Sequence, residues 1–569
     1  MRILILCHAF NSLTQRLYLD LVGCGHELSL EFDIADSVSE EAVALFEPEL
    51  IVATYLRRAI PESIWRHRPC LVVHPGVVGD RGPAALDWAI QEGEETHWGV
   101  TVLQAEAELD AGPVWASREF PLRPGAKSSL YRHEVTEAAS GALLEAIARY
   151  AAGEAPTPLA RAAGSGRARP LLRQEQRAID WQRETTATVL RKLRAADGSP
   201  GLADSLFGEP CQLYDPWPES DLAERWRGAQ AGQLIARRET ALLRKTVDGA
   251  VWIGHVKRRA GVKLPACLAF AAESAVLPEL PLADWWAVPG TWQDIAYTEQ
   301  GEVGTLRFEF YNGAMGTEQC ARLRAALAWA RQRPIRVLLL AGGDEFWSNG
   351  IHLNLIEAAD SPADESWRNI EAIDDLAAAL IDNDRQLTIA TLGGNAGAGG
   401  VFLARAADLV WARAGVVLNP HYKNMGNLYG SEYWTYSLPA RVGLVGAAAI
   451  MQGRLPMSSQ QAQACGLIDC CIDTPRAEFA EEVQRRALQL AQDDWAARIE
   501  AKRARRSIDE ATKPLAQYRA EELTQMRRNF YGFDPSYHVA RYHFVHKTPQ
   551  AWTPRHLARH RDLGWGMPP

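Results

Sequence analysis

The apolar residues of this chain fall into two recurring patterns, short continuous runs of strand length and longer stretches with helical spacing. Residues 3–6 form such a run, and Leu13, Leu17, Leu19 and Leu21 follow it at helix-like intervals. This predicts a buried parallel strand leading into a helix. Further strands are expected at 50–53 and 70–73, with a helix between them, and a right-handed doubly wound sheet closes that arrangement. Periodicity breaks near residue 160, after the Gly- and Pro-containing stretch 152–158. From about 170 to 280 the runs shorten and alternate, at 233–236, 240–245 and 251–256, which predicts a small β-rich domain. A second α/β unit then starts, with strands at 305–310, 336–340, 387–392 and 409–412 and helices at 318–331 and 371–383. Beyond 475 the chain is charged and helically patterned to its end. The expected architecture is α/β and multidomain, divided at 1–165, 166–280, 281–475 and 476–569.

Length supports this division, since 569 residues hold three to four domains at ~100–200 residues each. Hydrophobic residues make up 47 % and charged residues 23 %, a globular balance rather than a disordered or fibrous one. A net charge of −9 argues against nucleic-acid partners held by phosphate neutralisation. No apolar stretch approaches the ~18 residues of a membrane span, and the N-terminal run is too short for a signal segment. The nine cysteines show no C-x-x-C or zinc-like spacing, so no metal site is expected. Reduced thiols and a cytoplasmic location follow from this reading.

Candidate chemistry first appears after the run at 70–73. His74 leaves the carboxyl end of a strand, the edge where open α/β sheets place ligands. Asp110 follows in the loop Leu109-Asp110-Ala111-Gly112-Pro113. A His that shuttles a proton and an Asp that fixes its tautomer suit acyl transfer between heteroatoms, although a packed His and a turn Asp leave the same pattern. With Gly99-Val100-Thr101-Val102, Ile179-Asp180-Trp181 and the turn 197–201, the first 270 residues resemble 10-formyltetrahydrofolate-dependent formyltransferases. The resemblance implies a Rossmann-like domain, a barrel-like C-terminal domain, a folate formyl donor, and catalytic roles for His74 and Asp110. Two departures stand out. The family's Asn two residues before the His is Val72 here, and 75–80 (Pro-Gly-Val-Val-Gly-Asp) replaces the usual motif. Loss of a polarising donor typically costs ~10²–10³ in rate, which favours an easier acceptor than an amine, such as a thiol.

A second set of motifs lies at 311–315, 346–351 and 395–400, followed by Ala406-Ala407-Asp408-Leu409-Val410. Together they resemble the crotonase, or enoyl-CoA hydratase/isomerase, superfamily. The resemblance implies a thioester oxygen held by two backbone N–H groups, here those of Asn349 and Gly399. The two glutamates of the hydratases fall on Phe402 and His421, so ordinary hydration is not expected. The nearby titratable groups lie at 419–426 and 429–434.

A formyltransferase-like half joined to such a crotonase-like half resembles the hydrogenase maturation factors built from these two parts. That resemblance implies formyl transfer from 10-formyltetrahydrofolate to coenzyme A, then decarbonylation of formyl-CoA to carbon monoxide for a nickel–iron hydrogenase. Tyr422 and Glu432 are assigned to the proton traffic of the second step. Gln15, Arg132, Ser199 and Arg541 are the cofactor-binding candidates. Two other readings stay open, a bifunctional enzyme with another formyl acceptor and a non-catalytic folate- and CoA-binding scaffold.

Overall fold

The structure is a computed structural model that describes residues 1–161, 164, 166–220, 224–343, 345–493 and 495–562. Two compact units are present. The first comprises residues 1–259 and 265–278 together with the C-terminal segment from Pro549, and the second comprises 260–264 and 279–548.

The first unit opens with strands β1 (Arg2–Cys7), β2 (Glu27–Phe32), β3 (Leu50–Tyr55), β4 (Cys70–His74), β5 (His97–Gln104) and β6 (Val114–Pro121), in the sheet order β2-β1-β3-β4-β5-β6. β1 to β4 are parallel, and β5 and β6 add to the edge in antiparallel fashion. The chain leaves β1 for one neighbour and returns to the other, so a switch point lies between β1 and β3, where such sheets open a ligand crevice. Helix Ser12–Gly23 begins there, capped by the Asn11 side chain, which accepts from the Thr14 N–H.

β2 is a strand that the apolar pattern does not announce, because Ser29 and Glu31 interrupt it. His74 therefore ends the fourth strand, not the third. Both polar side chains are fully buried, and the C-terminal segment satisfies them. Ser29 Oγ lies 2.7 Å from His560 Nδ1, and Glu31 Oε2 lies 2.9 Å from His560 Nε2 and 2.7 Å from Arg561 Nη2. Thr553 donates to Glu31 as well, and the Leu30 N–H donates to the Leu557 carbonyl at 3.0 Å. Ser29, His560 and Glu31 form a hydroxyl–imidazole–carboxylate chain, but all three are closed to solvent, so the arrangement ties the chain ends together rather than offering a nucleophile.

The small β-rich part is present as β7 (Leu202–Leu206), β8 (Glu209–Glu219), β9 (Leu234–Arg238), β10 (Ala241–Lys245) and β11 (Ala250–Arg258), with β7-β8-β11-β10-β9 as neighbours. Helix Thr186–Ala196 precedes it and is capped by Thr185.

The second unit carries β12 (Ile295–Gln300), β13 (Val303–Phe308), β14 (Val337–Ala341), β15 (Leu387–Leu392), β16 (Leu409–Arg413) and β17 (Cys470–Ile472), adjacent in chain order and parallel after the first antiparallel pair. Each of β14, β15 and β16 is followed by a three-residue strand of a smaller sheet, namely Phe346–Ser348, Asn395–Gly397 and Val417–Asn419. This repeat delivers the segments after Ser348, Gly397 and Asn419 to one edge. Helix Pro362–Ile381 starts cleanly, with Ser361 as cap, Pro362 in its first turn, and Asp364 and Glu365 complementing the helix dipole. It buries Ile370, Ile373, Leu376, Ala377 and Leu380 in a core that also holds Tyr297, Phe308, Trp347 and Phe402, each large side chain contributing ~1.5–3 kcal/mol on burial.

The region after 475 is helical at Arg476–Asp493, Trp495–Thr512, Leu515–Tyr531 and Ser536–His546. The expectation of a helix to the end is corrected beyond Thr548. Pro549 and Pro554 interrupt helical hydrogen bonding, and the chain instead runs irregularly along β2, with one 3₁₀ turn at Arg559–Arg561. Residues 563–569 lie outside the described residues. No described helix is long and apolar enough to cross a membrane.

Burial alone would raise the Glu31 carboxyl, but hydrogen bonds from His560, Thr553 and Arg561 outweigh it and hold the group below the usual carboxylate range. Its folded value lies below its unfolded one, so the stability it contributes is present above ~4.3, the usual glutamate value, and is lost as pH falls through the folded value. Glu31→Ala leaves buried His560 without its carboxylate partner and half-buried Arg561 with Glu41 alone, and is expected to cost ~3–5 kcal/mol. A denaturant midpoint equal to wild type at neutral pH would show that the network contributes nothing.

Candidate functional sites in the two units

In the first unit, His74 is held at the end of β4 by its turn. The Thr101 hydroxyl, on the paired residue of β5, donates to the Gly76 carbonyl at 2.8 Å, and Trp98 Nε1 donates to the Pro75 carbonyl at 3.0 Å. Position 76 must be glycine, since a β-carbon there would lie 2.4 Å from His74 Nε2. His74 Nδ1 lies 3.4 Å from Asp110 Oδ1, so the structure brings together the two residues expected from the sequence. Asp110 sits at φ 56, a left-handed conformation that Asp tolerates, and its second oxygen accepts from the Gly82 N–H at 3.4 Å.

The sequence reading missed Asp80. Its Oδ2 lies 3.8 Å from His74 Nε2, and neither of these buried atoms has a hydrogen-bond partner. Arg169 pairs with Asp80 Oδ1 and reaches Glu95 at 2.9 Å. Asp80 lies inside the replaced 75–80 motif and was open to notice. Arg169 is 89 residues further on, and nothing local marks it.

In the second unit, pairing of Phe346–Ser348 with Asn395–Gly397 brings the two expected thioester-holding segments together. A β-carbon on Gly350 would lie 3.2 Å from the Gly399 nitrogen, and one on Gly400 would lie 2.1 Å from the Ser348 carbonyl oxygen. The N–H of Gly399, in the first turn of helix Gly399–Arg405, has no acceptor within its own helix. Ala398 before it is held at φ 46, strain of a kind that clusters at functional sites. Asn349 is different. Its N–H donates to the Gly313 carbonyl at 2.7 Å and its side-chain amide to the Asn312 carbonyl at 2.8 Å. That N–H, expected to polarise a thioester, is therefore committed to the backbone.

Tyr422 and Glu432 meet beside Gly399. The Tyr422 hydroxyl donates to Glu432 Oε2 at 2.5 Å, and a β-carbon on Gly399 would lie 2.1 Å from Glu432 Oε1. Phe402, standing where the hydratases carry a glutamate, stacks on the Tyr422 ring at 5.4 Å and 16°. Gly430 permits this packing, because a β-carbon there would lie 2.1 Å from the Tyr422 ring. Glu432 and Tyr433 both adopt left-handed φ, 59 and 58, at a cost of order 1–3 kcal/mol each. Burial, with Asp374 nearby, pushes the Glu432 carboxyl up to about 8. Burial and Glu432 raise the Tyr422 hydroxyl well above its ordinary value.

Two further buried carboxylates stand behind this pair. Asp374 accepts from Ser431 Oγ at 2.7 Å and from the Glu432 N–H at 2.8 Å. Glu522 accepts from the N–H groups of Tyr433 and Thr435 at 3.0 and 2.8 Å. Burial pushes Asp374 up to about 6, and burial together with Asp374 pushes Glu522 up to about 8. Neither was singled out from sequence, yet a signal exists. Asp374 lies on the stripe of Ile370, Ile373 and Ala377, and Glu522 on that of Leu515, Met526 and Phe530. An acid at an apolar-stripe position of a helix is buried by geometry.

Three of the four cofactor-binding candidates lie in the first unit and one in the second. Gln15 stands on the helix at the β1 switch point and donates to the Phe10 carbonyl at 2.9 Å. Arg132 lies in the π-helical turn Tyr131–Val135. Ser199 is exposed, and its carbonyl accepts from Lys127 at 3.4 Å. Arg541, in the second unit, is buried against Glu357 at 2.7 Å and stacks over Tyr537, a pairing that occupies its guanidinium.

A family model described as formyl transferase matches residues 32–147, one described as formyl transferase C-terminal domain matches 171–271, and one described as enoyl-CoA hydratase/isomerase matches 306–555. A methionyl-tRNA formyltransferase of Roseiflexus castenholzii is 32 % identical over 195 residues, 34 % of this chain and 60 % of that protein. Hydrogenase maturation factor HoxX of Bradyrhizobium diazoefficiens is 54 % identical over 564 residues, 99 % of this chain and 97 % of that protein. The crystal structure of HypX from Aquifex aeolicus in complex with tetrahydrofolic acid superposes with a TM-score of 0.95 at 45 % identity, covering 100 % of both chains. The formyltransferase fold around His74 and the crotonase-like fold around Glu432, in one chain and in this order, thus place the protein in the HypX (HoxX) family of hydrogenase maturation factors.

Proposed function

We propose that the chain makes carbon monoxide in two steps for assembly of a nickel–iron hydrogenase. The first half moves the formyl group of 10-formyltetrahydrofolate to the thiol of coenzyme A. The carbon–nitrogen bond breaks, a carbon–sulfur bond forms, and the thiol proton ends on the folate nitrogen. His74 carries that proton, and Asp110 at 3.4 Å stabilises its charged form. The second half then breaks the carbon–sulfur and carbon–hydrogen bonds of formyl-CoA. Carbon monoxide leaves, and the formyl hydrogen ends as a proton on the coenzyme A sulfur, so no oxidant or water is consumed.

The observation that carries this reading is the buried Tyr422–Glu432 pair against Gly399, in a crotonase-like fold whose hydration glutamates are absent. Formyl-CoA has no α-carbon, so the groups that serve hydration and α-proton abstraction have nothing to act on. Glu432 keeps its proton at neutral pH, and a neutral carboxyl can give that proton to the departing sulfur while its other oxygen takes the formyl hydrogen. Tyr422 fixes the carboxyl, and the Gly399 N–H polarises the carbonyl. The tetrahydrofolate bound by the Aquifex relative supports the folate donor. Gln15, Arg132, Ser199 and Arg541 are assigned to cofactor binding, Arg541 only if it releases Glu357.

Haemoglobin absorbance measures the product. With 10-formyltetrahydrofolate and coenzyme A, wild type releases carbon monoxide and His74→Ala does not, yet His74→Ala keeps full release from supplied formyl-CoA. Tyr422→Phe and Glu432→Gln lose both, by ~10²–10⁴-fold as expected for general acid–base groups. Formyl-CoA accumulating in wild type without gas would leave only the transferase half. Neither product would point to another acceptor or to the scaffold reading.

The pH dependence has a defined sign. Glu432 is protonated below about 8 and ionised above it, so release from saturating formyl-CoA falls as pH rises through that value. A rate that climbs through the same range would show that the ionised form acts, and would overturn the proton-donor role.

A further inference from the structure

Glu432 is the end of a larger buried array. Segment Ser431–Thr435 crosses the site with two consecutive left-handed residues, a path that does not hold itself. Two helices hold it. From Pro362–Ile381, Asp374 takes the Ser431 hydroxyl at 2.8 and 2.7 Å and the Glu432 N–H at 2.8 Å. From Leu515–Tyr531, Glu522 takes the N–H of Tyr433 at 3.0 Å, the N–H and hydroxyl of Thr435 at 2.8 and 2.5 Å, and the Ser431 hydroxyl at 3.3 Å. Ser431 Oγ thus bridges two acids that arrive from helices on either side of it in the sequence. All three carboxyl groups are closed to solvent.

We infer that Asp374 and Glu522 are positioning residues of the second site, clamping Ser431–Thr435 so that the Glu432 carboxyl stays on the Tyr422 hydroxyl and over Gly399. The inference rests on the decarbonylation reading and names the residues on which its acid depends. Four carboxyl oxygens serve five donors of the segment, and a strained loop persists only where its surroundings hold it in this way. Apolar side chains in their places would pack the helices equally well but would leave five backbone or hydroxyl donors without these acceptors.

The clamp also acts through charge. The groups that face Glu432 are Asp374, Glu522 and Tyr422, with the Cys320 thiol on helix Thr317–Ala330. Arg519 stands 3.9 Å from Asp374 and 2.7 Å from Asp375, towards the surface, and partly offsets the acids. Like charges this close resist joint ionisation, so whichever clamp carboxyl is ionised discourages Glu432 from losing its proton. The same two side chains therefore hold the acid in place and add to the effect of burial on its protonation.

Asp374→Asn separates these effects, because the amide oxygen still accepts from Ser431 and Glu432 while the charge is gone. The expected result is a folded protein whose rate on supplied formyl-CoA drops about threefold at pH 7.5, since a one-unit fall from about 8 leaves about a quarter of Glu432 protonated there in place of about three quarters. Its KM should stay within about twofold, and the alkaline fall in rate should move about one pH unit towards acid, a tenfold change in the ionisation constant. Glu522→Gln moves it the same way. A merely structural role would lower melting temperature and rate without moving the pH midpoint. An independent readout is the infrared carbonyl band of a protonated carboxyl that is present in wild type and absent in Glu432→Gln, followed as a function of pH. In Asp374→Asn its midpoint falls as well. A folded Asp374→Asn protein with wild-type rate and an unmoved band would overturn the inference. Wild type that titrates this way but releases no carbon monoxide from formyl-CoA would overturn the reaction assignment and leave the clamp standing.

Discussion

The second site depends on one constraint, the close approach of a carboxyl group to backbone. Glu432 lies directly over Gly399, within the space that any side chain there would occupy. That contact requires glycine at 399, and its neighbour Gly400 in turn meets Ser348 across the small sheet. It needs Gly430 so that Tyr422 can lie flat under Phe402, and it needs two residues in left-handed backbone to turn the carboxyl inward. Each of these is locally unfavourable or leaves no room for variation. They coexist because two helices bury acids whose oxygens match the donors of the segment.

Removing the acids of the hydratases is the other half of the same arrangement. A glutamate at 402 would place a charge in the apolar core, where an aromatic ring now stacks on Tyr422. With Phe402 there, the carboxyl arrives instead from the Ser431–Thr435 loop, thirty residues later. The site keeps the Gly399 N–H without an acceptor in its own helix, commits that of Asn349 to Gly313, and brings its carboxyl in from another direction.

The two units solve the problem of a charged residue in a buried place in different ways. Glu31 is held ionised by His560 and Arg561, so its burial is compensated and it serves to anchor the chain end. Glu432 is given a hydroxyl and other carboxyls, so burial is left uncompensated and the proton stays on. The first arrangement stabilises the fold at neutral pH, and the second keeps a proton on a buried carboxyl.

Much of the α/β order was legible from the chain alone. Apolar runs at β1, β3, β4, β15 and β16, and the helical pattern after β1, follow from periodicity that local burial imposes. His74 and Asp110, and Tyr422 and Glu432, were singled out through the resemblance to two families, and the structure places the members of each pair together. What failed did so for one physical reason. Ser29 and Glu31 hide β2 because their partners are more than five hundred residues away, and the N–H of Asn349 is claimed by Gly313, a contact that no local pattern encodes. The sequence by itself determined which segments are strands and helices and which side chains can carry protons, since these depend on residue type and nearest neighbours. Which buried polar groups are paired, and so which carboxyl is ionised and which keeps its proton, was decided only by the tertiary structure, because desolvation and hydrogen bonding depend on what distant segments bring into contact.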